Sequence, residues 1–345
     1  MKEELITIVR QFFPDILFEE INISSIKIGL VNQTFKVTIG EDKKYILQQL
    51  NSSVFKHPER LQNNIFKVAN HLKKNNYQKG ILNSIKAING MSFYQSKEKD
   101  YWRMFSFIDN TDCHQVPPSL TFVSNAAKSL CEFHSILSTF NVKLLQDPIP
   151  NFLNFKLRLK RFQEAFLMGD KKRIMEVEEE SSIINRFTYI LREYEEIYDK
   201  LPQRIIHGDP KSSNFLFIKD SSKVDAIIDW DTLMKGTILY DFGDMVRSYT
   251  NRKLEDDISG ENFDSDKYEA IKQIFESEPC LLEIEKNNLN LGVKIVVLVQ
   301  AIRFLTDYIM GDEYYKVSYP NQNLNRAKGQ LNLFKGFLKH CDKIN

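Results

Sequence analysis

The sequence predicts an α+β chain: a small antiparallel sheet followed by a larger, mainly helical part. Three features of the pattern carry this reading. Strand-like apolar runs separated by turn signals occupy residues 21–107. From residue 119 onward the apolar residues recur every third or fourth position. One further hairpin, between Asn214 and Asp229, interrupts the helices. Strands first and helices afterwards place a cleft between two layers of different kind.

Residues 1–17 read as a short amphipathic helix broken near Pro14. Ile21 to Ile28, Gln33 to Ile39 and Lys43 to Leu50 read as strands, with Gly40-Glu41-Asp42 turning between the last two. Pro58 starts a helix, where its missing N–H costs little. Leu61, Ile65, Ala69 and Leu72 give that helix one apolar face, expected to pack on the sheet. Ser84 to Ile88 and Ser92 to Gln95 flank an Asn89-Gly90 turn, the best short hairpin signal in the chain, and Tyr101 to Phe107 follows. Ser119 to Phe140 is a buried helix with Val123, Ala126, Ala127, Leu130, Phe133 and Leu137 on one face, and His134 on it reads as a core histidine. Helices are expected over Phe152 to Met168, Ile183 to Leu201, Tyr240 to Thr250, Ser265 to Ser277, Leu289 to Met310 and Leu324 to His340.

With 345 residues, 42% of them hydrophobic, the chain can bury a substantial core. Its 47 basic and 46 acidic residues nearly cancel, unlike the basic footprint of a nucleic-acid binder. The runs Lys171-Lys172-Arg173 and Glu178-Glu179-Glu180 read as solvated surface. Cys113, Cys131, Cys280 and Cys341 show no metal-ligand spacing and suggest reduced thiols. Neither a signal peptide nor a membrane span is expected, since Ile295 to Val299, the most apolar run, is short and bracketed by Lys294 and Arg303. A soluble, cytoplasmic protein acting on a small molecule, without nucleic-acid or membrane partners, is the expectation.

The chemistry concentrates between Ile205 and Asp231. Asp209 and Asn214 are five residues apart, the separation of the Asp and Asn in the kinase catalytic loop. Lys211 sits between them as a cation for phosphate. Phe215 to Ile218, a polar turn at Lys219 to Lys223, and Val224 to Ile228 form a hairpin that returns Asp229 to Asn214. An amide oxygen and a carboxylate brought together suit Mg²⁺, which takes hard oxygen ligands. Each residue alone has a plainer reading: a Gly-Asp-Pro turn, a strand entry, a strand-end cap. Together they point to phosphoryl transfer. Asp241-Phe242-Gly243 spells the protein-kinase metal motif, but Asp229 is better placed at the hairpin's end. Asp241 and Asp244 are expected to anchor a helix start, with Asp244 pairing Arg247.

A two-lobed, protein-kinase-like arrangement follows, with residues 1–108 as a nucleotide-binding lobe ending in a hinge and 109–345 as the catalytic and substrate-binding lobe. The link Gly29-Leu30-Val31-Asn32 is where backbone N–H groups would cover ATP phosphates, although one glycine alone means only a hairpin turn. Met104 to Asp109 is the expected hinge, offering backbone to the adenine edge. Asn32, Thr34, Phe105 and Phe107 are therefore the candidate nucleotide contacts.

At these residues the chain resembles the aminoglycoside phosphotransferase and choline kinase superfamily, through His207-Gly208-Asp209, Asn214 and Ile228-Asp229-Trp230. Within it, the chain looks most like the N-acetylhexosamine 1-kinase branch. That closer likeness rests on Val31 to Phe35 with Tyr45 to Gln48, on Asn51 to Asn64, and above all on Arg303 to Gln330. The resemblance implies Asp209 as catalytic base, Asn214 and Asp229 as Mg²⁺ ligands, and Lys211 on the transferring phosphoryl group. It implies that Arg303, with Tyr314 helping, contacts a sugar. Asp231 is expected to bond sugar hydroxyls or support the metal ligands. From the residues alone, Arg303 could equally pair with Asp307 one turn on. The chain departs from the superfamily where the third strand usually supplies a lysine or arginine to the nucleotide phosphates. Gln48 and Gln49 stand there instead, leaving Lys36, Lys44 and Lys56 as candidates. The alternatives are a choline-, ethanolamine- or aminoglycoside-type kinase, or a non-catalytic nucleotide or sugar sensor.

Overall fold

The structure, a computed structural model, describes residues 2–26 and 31–344. Gly29 and Leu30 of the expected phosphate link therefore lie outside the described residues, while Val31 and Asn32 lie within them. Helix α1 (Lys2–Val9) precedes a sheet of β1 (Ile21–Ile26), β2 (Gln33–Ile39), β3 (Lys43–Leu50), β4 (Ser84–Ile85), β5 (Tyr94–Gln95) and β6 (Tyr101–Ser106). Its order is β1-β2-β3-β6-β4, with β5 also on β6, and every pairing is antiparallel. Gly40 makes the β2–β3 turn at φ +62°, a backbone conformation that costs glycine nothing. Alternate residues Phe35, Val37 and Ile39 on β2 are buried with Leu5, Ile6 and Val9 of α1, so one sheet face is covered by the N-terminal helix.

Three local expectations are corrected. The turn at Asn89-Gly90 forms, with Ala87 N–H bonding to Met91 O at 2.8 Å, but the strands on either side each pair with β6 and not with one another. Strand β6, six residues long, gives both of these two-residue strands a backbone edge to pair with, which outweighs the local hairpin preference. Helix α2 (Pro58–Lys74) buries Leu61, Ile65, Ala69 and Leu72 in the large core shared with the later helices, not in the sheet's own core. The single helix expected over Ile183 to Leu201 is two, broken at Phe187 and Thr188.

The remaining helices are α3 (Leu120–Leu137), α4 (Phe155–Met168), α5 (Lys171–Met175), α6 (Glu178–Arg186), α7 (Tyr189–Tyr198), α8 (Ile238–Tyr249), α9 (Ser265–Ser277), α10 (Glu283–Lys286), α11 (Leu289–Ile309) and α12 (Gln322–Ile344). Two small sheets are set among them: β7 (Thr111–Asp112) with β9 (Phe215–Ile218) and β10 (Val224–Ile227), and β8 (Arg204–Ile206) with β11 (Met234–Gly236). Helix α11 is long and apolar enough to resemble a membrane span, but 67% of that stretch is buried inside the protein. It crosses α8 at two facing glycines. A Cβ on Gly243 would stand 2.3 Å from Gly292 O, and one on Gly292 would stand 2.4 Å from Leu239 O. The glycine of Asp241-Phe242-Gly243 thus serves close helix packing, and Phe242 fills the core at 0% exposure.

Candidate active site

Strand β8 delivers the loop His207-Gly208-Asp209, and its shape is held from several sides. Gly208 has φ +81°, and a Cβ there would lie 2.6 Å from Thr232 O, so only glycine fits. The N–H groups of His207 and Gly208 donate to the two oxygens of Asp241, at 2.7 and 2.8 Å. His134 Nε2 lies 3.0 Å from the same carboxylate. Asp241 does sit in the first turn of α8, as expected. Its carboxylate, however, reaches across to fix the loop. Thr232 Oγ1 donates to His207 O at 2.8 Å. The buried His207 ring donates from Nε2 to Ile228 O at 3.0 Å and accepts the Asp209 N–H on Nδ1 at 3.3 Å. That pattern requires the neutral imidazole, and burial lowers its pKa despite Asp241 and Asp209 nearby.

Asp209 Oδ2 is gripped by Lys211 Nζ at 2.5 Å and by Asn214 Nδ2 at 3.1 Å, and the same amide donates to Asp209 O at 2.8 Å. Burial opposes the charge on Lys211, but Asp209 and Asp229 outweigh it and raise its pKa, keeping it a cation. The hairpin closes as the sequence implies: Ile227 faces Phe215, and Ile228 N–H bonds to Asn214 O at 2.9 Å. Asp229 follows at φ +64°, a left-handed conformation rare outside glycine and a local strain of the kind found at functional sites. Burial first, and Asp231 second, raise the Asp229 pKa; Lys211 only partly offsets this.

The fit to a divalent cation can be tested on these groups. Asn214 spends its amide N–H₂ on Asp209, and among the described residues no hydrogen-bond donor is spent on Asn214 Oδ1 or on the Asp229 carboxylate. A buried carboxylate destabilised by its carboxylate neighbours, beside an idle amide oxygen, is a donor set that suits Mg²⁺.

Asp231 is 4% exposed and faces the sheet. Its Oδ1 lies 2.6 Å from Arg103 Nη1, and its Oδ2 accepts from Arg103 Nη2 and Asn32 Nδ2, both at 2.8 Å. Arg103 lies opposite Gln48 in the β3–β6 register, and its Nε and Nη2 donate to Gln48 Oε1 at 3.0 and 2.7 Å. Gln48 Nε2 in turn donates to Thr34 Oγ1 at 3.1 Å. The glutamine in the third strand thus works as an adaptor for an arginine on the neighbouring strand. Lys36 lies over the Phe107 ring at 4.8 Å, Lys44 pairs with Asp109 at 2.6 Å, and Lys56 is exposed. Arg103 lines the cleft; none of these three lysines does, among the described residues.

On the far side, Arg303 of α11 does not pair with Asp307. Asp307 instead accepts the backbone N–H groups of Tyr314 and Tyr315 at 2.7 and 2.9 Å. The Arg303 guanidinium sits 5.6 Å from the Phe152 ring, 5.9 Å from Tyr314 and 5.5 Å from Tyr315, and donates to Gln300 Oε1 at 3.0 Å.

Apart from the three lysines, the residues nominated from sequence line one cavity of about 930 Å³: Asn32, Thr34, Phe105 and Phe107 from the sheet, Asp209, Lys211, Asn214, Asp229 and Asp231 from the hairpin, and Arg303 and Tyr314 beyond. Sequence reasoning missed Arg103 and the loop-holding role of Asp241. A lone charge inside the apolar run Tyr101-Trp102-Arg103-Met104-Phe105 was the available signal for the first.

Comparison with known proteins agrees with this architecture. The fold is shared with a microcompartment-associated aminopropanol kinase (15% identity, 98% of each chain covered, TM-score 0.69). It is also shared with aminoglycoside 2′-phosphotransferase-IIIa in its GDP complex (14% identity, 98% of this chain and 99% of that one, TM-score 0.63). A choline kinase from Cryptosporidium parvum Iowa II is similar at 15% identity, over 99% of this chain and 97% of that one, with TM-score 0.57. The sequence model of the phosphotransferase enzyme family matches residues 22–269, and the chain belongs to that family.

Proposed function

We propose that this chain is a kinase that moves the γ-phosphoryl group of ATP to a hydroxyl of a small, uncharged sugar, with the anomeric hydroxyl of an N-acetylhexosamine as first choice. The observation that carries the reading is the meeting of Asp209, Lys211, Asn214 and Asp229 at one hairpin mouth. In the transfer, the bond from the γ-phosphorus to the β-phosphate oxygen breaks and a bond to the acceptor oxygen forms. Asp209 is the base: its Oδ2 is held by Lys211 and Asn214, and its Oδ1 is left to take the acceptor's proton. Positioned bases of this kind contribute roughly 10²–10⁴-fold. Lys211 neutralises the transferring group. Asn214 Oδ1 and the Asp229 carboxylate are the ligands for Mg²⁺, which when bound screens the phosphate charge.

Residues 1–108 form the nucleotide side in this reading. Asn32 and Thr34 lie towards the phosphates, with Phe105 and Phe107 as apolar walls near the adenine. Arg103 supplies the sheet's cation and Asp231 supports the metal loop, since Arg103 and Asn32 already engage its oxygens. Arg303 and Tyr314 mark the acceptor end.

A second reading, an ammonium alcohol as acceptor, is favoured by one observation: the rings of Phe152, Tyr314 and Tyr315 gathered at that end, which suit a cation. ADP release with N-acetylglucosamine, N-acetylgalactosamine, choline, ethanolamine and kanamycin separates the readings. Release with an N-acetylhexosamine is expected. Release with an amino alcohol only selects the second reading, and release with none overturns both in favour of a sensor.

A further inference from the structure

The aromatic box at the acceptor end already holds a cation, and it is the protein's own. Phe152 comes from the segment before α4, Tyr314 and Tyr315 from the loop after α11, and all three rings lie within 6 Å of the Arg303 guanidinium. Three rings around one cation is how proteins recognise quaternary and primary ammonium groups. The arginine is held there by Gln300, which accepts from Nη1 at 3.0 Å and reaches Tyr315 Oη with its own amide at 3.5 Å.

No described carboxylate forms an ion pair with Arg303, and the acids around the box each have another partner. Asp244 and Glu255 pair with Arg247 at 2.7 and 3.0 Å. Asp256 accepts from Tyr319 Oη and Gln322 Nε2, both at 2.8 Å. Asp307 is spent on the backbone of the box itself, through Tyr314 and Tyr315, and on Asn323. A positively charged alcohol whose ammonium group entered the box would meet a fixed like charge a few ångströms away. At a separation of about 5 Å and an effective dielectric of about 20, that repulsion corresponds to roughly 10²-fold weaker binding.

We propose that Arg303 plugs a latent ammonium site: its guanidinium occupies the box of Phe152, Tyr314 and Tyr315, so the acceptor end admits uncharged or anionic alcohols and rejects ammonium alcohols. The inference rests on the phosphoryl-transfer reading for its biological meaning, but the plug is tested by binding alone. It assigns Arg303 a specificity role that the same box would lose, and invert, without it.

The experiment is titration of the 345-residue chain with tetramethylammonium chloride, against sodium chloride as the salt control, followed by calorimetry. The unaltered chain is expected to show no saturable binding. Arg303→Ala is expected to bind tetramethylammonium saturably in the millimolar range, and to lose that binding when Tyr314→Leu is added. Saturable binding to the unaltered chain overturns the proposal. So does a folded Arg303→Ala variant that binds no better than the parent. Should Arg303→Ala fail to fold, Arg303→Gln, which removes the charge and keeps a polar partner for Gln300, is titrated in its place with the same two outcomes. Because none of these readouts needs turnover, a missing kinase activity would count against the function and leave the plug to be judged separately.

Discussion

The ion pair between Arg103 and Asp231 joins the sheet to the loop that carries Asp229, and its side chains are 2% and 6% exposed. Removing one partner of such a pair strands the other charge away from water, which costs about 3–5 kcal/mol. Arg103→Met leaves Asp231 with the Asn32 amide alone, and Asp231→Leu leaves the guanidinium with Gln48 alone. At roughly 2–4 °C per kcal/mol for a chain of this order, each single substitution is expected to lower Tm by roughly 6–20 °C. The double variant Arg103→Met/Asp231→Leu strands no charge, and replacing a buried pair with apolar groups is often near neutral. It is therefore expected to be more stable than either single variant. Its stability returns without its clasp, so its kcat stays low while its Tm recovers. Thermal unfolding of the four proteins, with ADP release measured alongside, makes the comparison. Additive losses, or a double variant less stable than both singles, would refute the reasoning.

Other predictions follow from the loop. Asp241→Asn keeps the size but turns one acceptor of the His207 and Gly208 N–H groups into a donor, so the loop shifts. A fall in kcat of about 10²-fold, with ADP binding by thermal shift unchanged, is expected. Gly208→Ala must place a Cβ 2.6 Å from Thr232 O at φ +81°, and both Tm and kcat should drop. His207 is buried neutral with a lowered pKa, so on acidification the unfolded chain takes up a proton that the folded chain resists. Its contribution is present above the ordinary histidine pKa of about 6.5 and lost as pH falls below it. Tm measured from about pH 7 to 5 should fall less steeply in His207→Gln than in the parent; equal slopes would remove His207 from this role.

Much of the fold was legible because local signals agreed with the tertiary result. Val123, Ala126, Leu130 and Phe133 keep helical spacing and all reach 0% exposure, and Gln33 to Ile39 alternates as a half-buried strand should. The hairpin from Asn214 to Asp229 was readable from its two apolar runs and the polar turn between them, although a register shift between Val224 and Ala226 that no local signal announced adjusts the pairing. What the sequence could not reveal depends on cross-strand register and on contacts distant in sequence. Gln48 looked like a deficit until β6 brought Arg103 opposite it, fifty-five residues away in sequence. Asp241 looked like a helix-start residue, and it is one, but its work lies on a loop thirty-three residues earlier. Arg303 had a plausible partner one turn on, yet Asp307 answers to backbone N–H groups instead. Asn89-Gly90 carried a sound turn signal, but the turn did not decide which strands would pair.

The central claim is that Asp209 accepts the proton of an alcohol as phosphoryl transfer proceeds. Asp209→Asn, assayed for ADP release with whichever acceptor the unaltered chain uses, tests it most directly. The account predicts a loss in kcat of roughly 10²–10⁴-fold with nucleotide affinity preserved. Turnover equal to the parent's, at full occupancy of nucleotide and acceptor, would contradict it.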